Sequence, residues 1–489
     1  MKTVSPNVSA IQNKMPEGNN GLDESKIPLK RSLGLTTGIL LVAGSLIGSG
    51  VFKKIAPMSA ALMDKNYILL AWLLAGIISI FSAFSICGLA SLTSESGGIY
   101  EYLRLSFGNF FSFLYGWGSF LIMGSGAIAA VAFIFSESVN YIIPLPVFFG
   151  SWQHISIGHF VFPFESSGIK LLAVLTIGGL TWLNILGAKK GGNLNNILTT
   201  LKIAGIVFLI VMGLSFTHSS SPIETIAKQQ SHPNTNIFSA MIAAMLSAFW
   251  AYSGWFGISF ITGEIKNPKK NVPISIIAGI GISIVLYLLL NDAFMNVMSL
   301  DALANIGENN IAALEVARII SGNPGATGIA ILIIISTFGT LNAIIMVYPR
   351  MYYRMSQEKF FPKTFSFVHP RFNTPYMALI YSMAWSCLMV ISGTFDVLTD
   401  MIIFTATFFF GLLGVALIKI KRNGTITTGL IAYPLSPIVL ILSSLALIIN
   451  TIITEPVQSV VGLLLILTGV PFYFFYRRKT TDDTSMPRF

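Results

Sequence analysis

Residues 44–52 read Gly-Ser-Leu-Ile-Gly-Ser-Gly-Val-Phe, inside an apolar run that starts at Leu33. Glycine weakens a helix by about 1 kcal/mol relative to alanine, so three of them at 44, 48 and 50 predict a helix that loses its hydrogen-bond ladder partway. Small residues also let membrane helices pack closely, and for an isolated glycine pair that reading would suffice. A second interruption decides between the two. The sixth hydrophobic run contains Ser247-Ala248-Phe249-Trp250-Ala251-Tyr252-Ser253-Gly254-Trp255-Phe256-Gly257, again small and polar at its middle. Runs one and six lie five helices apart. Because five is odd, a repeated unit of five helices enters the membrane from the opposite side the second time, and matching interruptions are what an inverted repeat produces.

The rest of the chain supports a membrane setting. Of its 489 residues 54% are hydrophobic and 10% charged, against about 25% charged in soluble proteins. Apolar runs of about 20 residues, the length of a membrane-spanning helix, recur from Leu33 to Tyr476 without a large polar block between them. A soluble enzyme is excluded. Cutting these runs at charges, prolines and polar clusters gives twelve candidate spans, beginning near 33, 67, 110, 168, 195, 237, 272, 326, 375, 398, 427 and 456. An even count puts both termini on one side. That side carries all the lysines and arginines except Lys53, Lys54, Lys65, Lys170, Lys228 and Arg318, which predicts cytoplasmic termini. The net charge of +10 then fits loops that face anionic lipid rather than a nucleic-acid partner. The expected organisation is a flexible cytoplasmic tail over 1–32, a ten-helix core over 33–422, spans eleven and twelve over 423–478, and a short cytoplasmic tail over 479–489. No cleavable signal is expected at the amino end. Leu92–Phe110 reads as a short amphipathic helix lying at the cytoplasmic surface. Cys87 and Cys387 both fall in apolar runs and read as inert thiols.

Unwinding a helix in lipid leaves peptide groups unpaired, which is tolerated only where they are buried in protein or line a cavity. The half-helix after Gly48 offers N–H groups and a positive dipole end to a carboxylate. Carbonyls at Leu46, Trp250 and Ser253 can accept from an ammonium. An amino acid zwitterion carries both groups on one carbon, and Ser45, Leu46, Ile47, Ser49, Gly50, Trp250, Ser253 and Trp255 are the candidate substrate-binding residues. Each tryptophan taken alone reads equally well as an aromatic packed on neighbouring helices. Span five carries one lysine, Lys202, inside its apolar segment. A lysine at the bilayer centre costs about 2.5–3.5 kcal/mol, so either it snorkels to the headgroups or its ammonium sits against the unwound backbone of span one.

The five histidines fall in loops, no His-Glu-x-x-His occurs, and no two spans offer paired carboxylates. These absences argue against an intramembrane enzyme and imply no metal or cofactor. A channel would need a filter of carbonyls or a ring of charges, and no repeated filter motif occurs. Glu264, Lys266, Lys269 and Lys270 after span six face Arg350, Arg354 and Arg371 after span eight in the predicted topology. They read either as positive-inside anchors or as an inner gate closed by ion pairs.

Gly44 to Phe52, Trp-Ala-Tyr-Ser-Gly-Trp at 250–255, Gly-Glu-Ile-Lys-Asn-Pro-Lys-Lys-Asn-Val-Pro at 263–273, Glu-Ser-Gly-Gly-Ile-Tyr at 95–100 and the segment Pro349-Arg350 through Met355 together resemble the amino acid–polyamine–organocation (APC) permeases. The likeness is greatest to the L-type amino acid transporters and their bacterial relatives, and it runs from about Leu33 to Pro375. It implies an all-α integral membrane protein with twelve transmembrane helices, a LeuT-like 5+5 inverted repeat and broken helices 1 and 6. It also implies secondary transport by alternating access in a cytoplasmic membrane, as sodium-independent exchange, with proton-coupled symport as the alternative. By the same resemblance Ser49 and Gly50 receive the substrate carboxylate, the Leu46 carbonyl receives its ammonium, Trp250 is an aromatic gate and Trp255 lines the side-chain pocket. Lys202 would stand in for the coupled cation or carry a coupled proton. Two departures bear on substrate. L-type members usually carry phenylalanine where Trp250 stands, so a larger ring narrows the pocket; arginine exchangers carry an acidic residue where Phe256 stands, which disfavours a cationic substrate. The 141–168 loop has no cysteine, so the disulfide to a glycoprotein partner found in animal L-type proteins is not expected.

Overall fold

The computed structural model describes residues 31–485 apart from 49, 91, 93–97, 149, 153–154, 156–162, 217–236, 307–310, 393–394, 427–429, 431 and 455. Among these residues the protein is a bundle of helices. In chain order they are α1 (Leu35–Leu46), α2 (Gly50–Lys53), α3 (Ile55–Leu62), α4 (Lys65–Ala90), α5 (Ile99–Phe107), α6 (Asn109–Gly118), α7 (Gly124–Ile142), α8 (Ser167–Ile185) and α9 (Ala188–Leu214). There follow α10 (Ile237–Ala251), α11 (Pro268–Val297), α12 (Leu300–Ala304), α13 (Ala312–Gln357), α14 (Tyr376–Ser392), α15 (Phe395–Arg422), α16 (Leu435–Thr454), α17 (Pro456–Leu467) and α18 (Gly469–Ser485). Among the described residues eleven helical stretches are long and apolar enough to cross a membrane, and Tyr376–Ile391 is a shorter apolar helix at the place of the ninth expected span.

Several boundaries differ from the expected ones for visible reasons. The fifth run becomes helical at Ala188 rather than near 195. Its Gly192 lets the start of α1 approach closely: a Cβ there would fall 3.0 Å from Leu33 and 3.2 Å from Thr37, so this glycine serves packing. The eleventh run starts at Leu435, directly after Pro434, a residue type favoured where a helix opens. Within α13 the left-handed Gly322 (φ 67°) and the following Pro324 kink the chain, so the long apolar part begins close to the expected residue 326. Residues 99–107 are helical as expected, but Ile99, Tyr100, Tyr102 and Leu103 are fully buried against protein rather than laid on lipid. Lys419 Nζ of α15 donates to the Ser106 carbonyl at 2.8 Å and fixes α5 to the bundle.

The feature that positions the site is the double break. α1 stops at Leu46 and helix resumes only at Gly50. α10 stops at Ala251, turns through 252–254, and continues as a tighter 3-10 helix over Trp255–Glu264. The two interruptions lie against each other. A Cβ on Gly50 would fall 2.9 Å from both Cα and Cβ of Ala251, so only glycine admits this backbone contact. Gly254, in the left-handed region at φ 105°, would place a Cβ 3.3 Å from the Ser45 carbonyl oxygen and 3.4 Å from Ser45 Cβ.

Candidate functional site

A cavity of about 180 Å³ opens between the two breaks. Pockets for drug-sized ligands run to about 300–1,000 Å³, so this one suits a small solute. Ser45, Leu46, Gly50, Trp250, Ser253 and Trp255 all line it, six of the eight residues expected from the sequence. Ser49 lies outside the described residues. Ile47 is fully buried and its carbonyl turns away from the cavity, toward α9 and α13. The remaining walls include α4 (Ser79, Ser82), α7 (Ala127, Val131), α13 (Thr340, Val347, Tyr348), α15 (Thr407, Phe410) and α16 (Ser443, Ser444). No lining residue carries a charge. Trp255 stacks on Phe410 with ring centroids 6.2 Å apart, and Phe256 meets the same ring edge-on at 5.0 Å. Trp250 abuts the first break, since its Cδ1 lies 3.3 Å from where a Gly50 Cβ would stand.

The peptide groups released at the first break have found partners. Lys202 is fully buried, so it does not snorkel. Its Nζ donates to the carbonyls of Gly44 and Ile47 at 2.8 and 2.9 Å and to Thr340 Oγ1 at 3.1 Å. Ser336 Oγ donates to the same Ile47 carbonyl at 2.8 Å. An ammonium thus sits in a nest of carbonyl and hydroxyl oxygens of the kind that binds a hard cation, and among the described residues no carboxylate forms an ion pair with it. The Leu46 carbonyl accepts from Tyr287 Oη at 2.7 Å and from Gly48 N at 2.7 Å. At the second break the chain serves itself: Ser253 donates to the Trp250 carbonyl through both its N–H (3.1 Å) and its Oγ (2.8 Å).

Beyond the cavity, at the end of the bundle where α1 begins, the chain is closed. Leu33 and Ile265 form a parallel β-bridge. Ser32 N and Leu33 N both donate to the Glu264 carbonyl at 3.0 Å, and Lys266 N donates to the Leu33 carbonyl at 2.8 Å. The Glu264 side chain accepts from Arg350 Nε at 2.7 Å, and both groups are buried. Arg354 meets Glu358 at 2.8 Å and Glu101 at 3.5 Å. Glu101 also accepts two hydrogen bonds from Arg104, whose guanidinium is thereby pushed further above its ordinary range. Of the charges read as anchors or gate, Glu264, Arg350 and Arg354 therefore enter ion pairs, whereas Lys266, Lys269, Lys270 and Arg371 are exposed. Asp292 pairs with Lys65 at 2.6 Å, away from the cavity.

Sequence reasoning missed Tyr287, Ser336 and Thr340. The last two stand at i and i+4 on one face of α13, a polar pair in a segment otherwise rich in isoleucine, and that spacing is the signal that points to them. Tyr287 carries no comparable mark.

The fold and the cavity between two broken helices define a multi-pass membrane carrier for a small solute. Residues 33–475 match the family model described as amino acid permease, and the chain belongs to that family, within the APC superfamily. It is accordingly an amino acid transporter and not an enzyme. It is 30% identical to the serine/threonine exchanger SteT of Bacillus subtilis, over 92% of this chain and 98% of that protein. It is 28% identical to the mouse b(0,+)-type amino acid transporter 1, over 92% of this chain and 88% of that one. The human cystine/glutamate transporter is 26% identical, over 97% of this chain and 89% of that protein.

Proposed function

We propose that this protein exchanges small neutral amino acids across the plasma membrane without sodium, both termini being cytoplasmic. The observation that carries the reading is the uncharged cavity between two sets of peptide groups released by helix breaks. A zwitterion brings no net charge into such a site, and a small, neutral side chain needs no ionic partner there. The carboxylate docks at the N–H groups around Ser49 and Gly50, and the ammonium at the carbonyl side near Leu46 and Ser253. Ser45 and Ile47 shape the backbone between them. Trp250 covers the substrate and Trp255 bounds its side chain.

Lys202 takes the part of a coupling cation. Its ammonium is held by the Gly44 and Ile47 carbonyls where a sodium ion would otherwise sit, so no sodium ion is needed to complete the site. The ten-helix core over 33–422 works as two inverted five-helix repeats, and alternating access arises as the pair of broken helices rocks against the remainder. Spans eleven and twelve lie outside that core. No disulfide-linked subunit is part of this reading, because the 141–168 loop lacks cysteine and both cysteines of the chain belong to helices α4 and α14. Exchange by the B. subtilis relative, named for serine and threonine, supports the same substrate class.

The test is uptake into proteoliposomes. Preloading with unlabelled serine, threonine or alanine is expected to accelerate entry of the labelled amino acid, and replacing sodium by choline is expected to leave the rate unchanged. Accumulation into empty vesicles driven by an imposed pH gradient would replace exchange by proton symport.

A further inference from the structure

The cavity between the breaks does not end at the ten-helix core. On α16, the eleventh span, Leu440, Ser443, Ser444 and Leu447 all line it, and positions i, i+3, i+4 and i+7 make one face of a helix. Leu442 and Leu445, on other faces of α16, are exposed. Two glycines of α15 hold the lining face in place. A Cβ on Gly411 would fall 3.2 Å from Ser444 Cβ, and one on Gly414 would fall 2.8 Å from the Pro437 carbonyl oxygen. α4 packs against α16 as well and adds Ser79 and Ser82 to the same lining. Ser79, Ser82 and Ser444 are buried.

The hydroxyl protons of this wall are already committed. Ser79 Oγ donates to the Ala75 carbonyl and Ser82 Oγ to the Ile78 carbonyl, each at 2.8 Å, and Ser443 Oγ donates to the Leu440 carbonyl at 3.2 Å. A hydroxyl has one proton and two lone pairs, so what these three serines keep for the cavity is acceptors. We propose that the α4–α16 wall is the subsite that selects the substrate's side chain, and that it takes an uncharged side chain carrying a hydrogen-bond donor, a hydroxyl or a carboxamide. This rests on the reading above that an amino acid docks by its carboxylate and ammonium at the two breaks. With those groups held, the side chain is the part left to reach the wall. A donor there meets waiting lone pairs, whereas a methyl group in the same place leaves them unpaired. A carboxylate side chain brings charge and acceptors to a wall of acceptors and is refused. Leu440 and Leu447 flank the serines and pack on the aliphatic part. α16 thereby sets specificity from outside the helices that rock.

The test uses two nearly isosteric pairs, threonine with valine and asparagine with leucine, compared by kcat/KM for exchange in proteoliposomes. In the native protein the donor-bearing member is expected to be favoured about five- to tenfold; a preference in one pair alone names the donor as hydroxyl or carboxamide. In the double variants Ser443→Ala with Ser444→Ala, and Ser79→Ala with Ser82→Ala, the ratio is expected to fall to about two or less. Leu442→Ala, on the exposed side of α16, is expected to keep the native ratio. General damage lowers both members of a pair alike, so an unchanged ratio in both double variants overturns the proposal. So does a native protein with no preference in either pair, or a Leu442→Ala protein that loses the ratio as the double variants do. If the double variants do not fold, Ser443→Cys keeps the shape and weakens the acceptor; its ratio should fall, and an unchanged ratio overturns the idea. Normal exchange without preference in the native protein strikes this subsite alone, whereas absence of exchange of any amino acid removes the transport reading itself.

Discussion

The two helix breaks look alike in sequence and differ in how their peptide groups are satisfied. The break after Leu46 borrows donors from distant elements: Lys202 on α9, Ser336 and Thr340 on α13, Tyr287 on α11. The break after Ala251 is closed mainly by its own chain, with Ser253 folded back on Trp250 and Gly257 N donating to the Gly254 carbonyl at 3.0 Å. A locally closed turn keeps its shape when its surroundings shift. A turn held by three other helices keeps its shape only while those helices stay put. On the proposed reading, the first break is therefore where motion of the bundle reaches the substrate, and the second offers it a nearly preformed surface.

The largest effect should follow from Lys202→Met, which removes the shared donor of the Gly44 and Ile47 carbonyls and leaves buried acceptors short of partners. Exchange is expected to fall at least about a hundredfold, with a lowered melting temperature, as read by initial rates in proteoliposomes and by thermal shift. Next comes Gly50→Val. Its side chain would strike the Ala251 backbone, which cannot swing aside as a flexible side chain does. Overpacking of this kind costs about 1–3 kcal/mol, so binding of the preferred amino acid should weaken about ten- to a hundredfold by scintillation proximity. Ser336→Ala takes away the shortest of three hydrogen bonds to the Ile47 carbonyl, leaving Lys202 Nζ and Thr340 Oγ1 within reach. A loss of about 1 kcal/mol corresponds to roughly a fivefold drop in exchange. Ser253→Ala should be mildest, within about twofold, because the Ser253 N–H still reaches the Trp250 carbonyl. A Ser253→Ala effect larger than that of Ser336→Ala would break the contrast between the two sites.

The places where the helices break were legible because glycine and small polar residues in an apolar run have few other uses. The burial of Lys202 was legible only as one of two outcomes. Insertion cost alone does not distinguish a stem that snorkels from an ammonium capped by carbonyls, and the choice depended on α13 bringing Ser336 and Thr340 alongside. The Leu46 carbonyl, expected to be open to the ammonium, is engaged by Tyr287 from 241 positions along the chain. No local pattern encodes that contact. Ile47 sits in the middle of the break yet directs its carbonyl away from the cavity, because the direction of a released peptide is set by the dihedral angles of the turn and not by residue type. Residues 99–107 show the same limit from the other side: their alternation of apolar and charged positions gives a helix, while only the tertiary arrangement says that its apolar face meets protein.

The strand-like contact between Leu33 and Ile265 ties the foot of α1 to the outgoing end of the sixth span through backbone groups that, of all side-chain substitutions, only proline would remove. Solute passing that way requires both threads to separate or to swing aside as one flap. With the buried Glu264–Arg350 pair fastened to the same threads, residues 32 and 33 are held to the end of the sixth span by backbone hydrogen bonds and, one step further on, by an ion pair to α13.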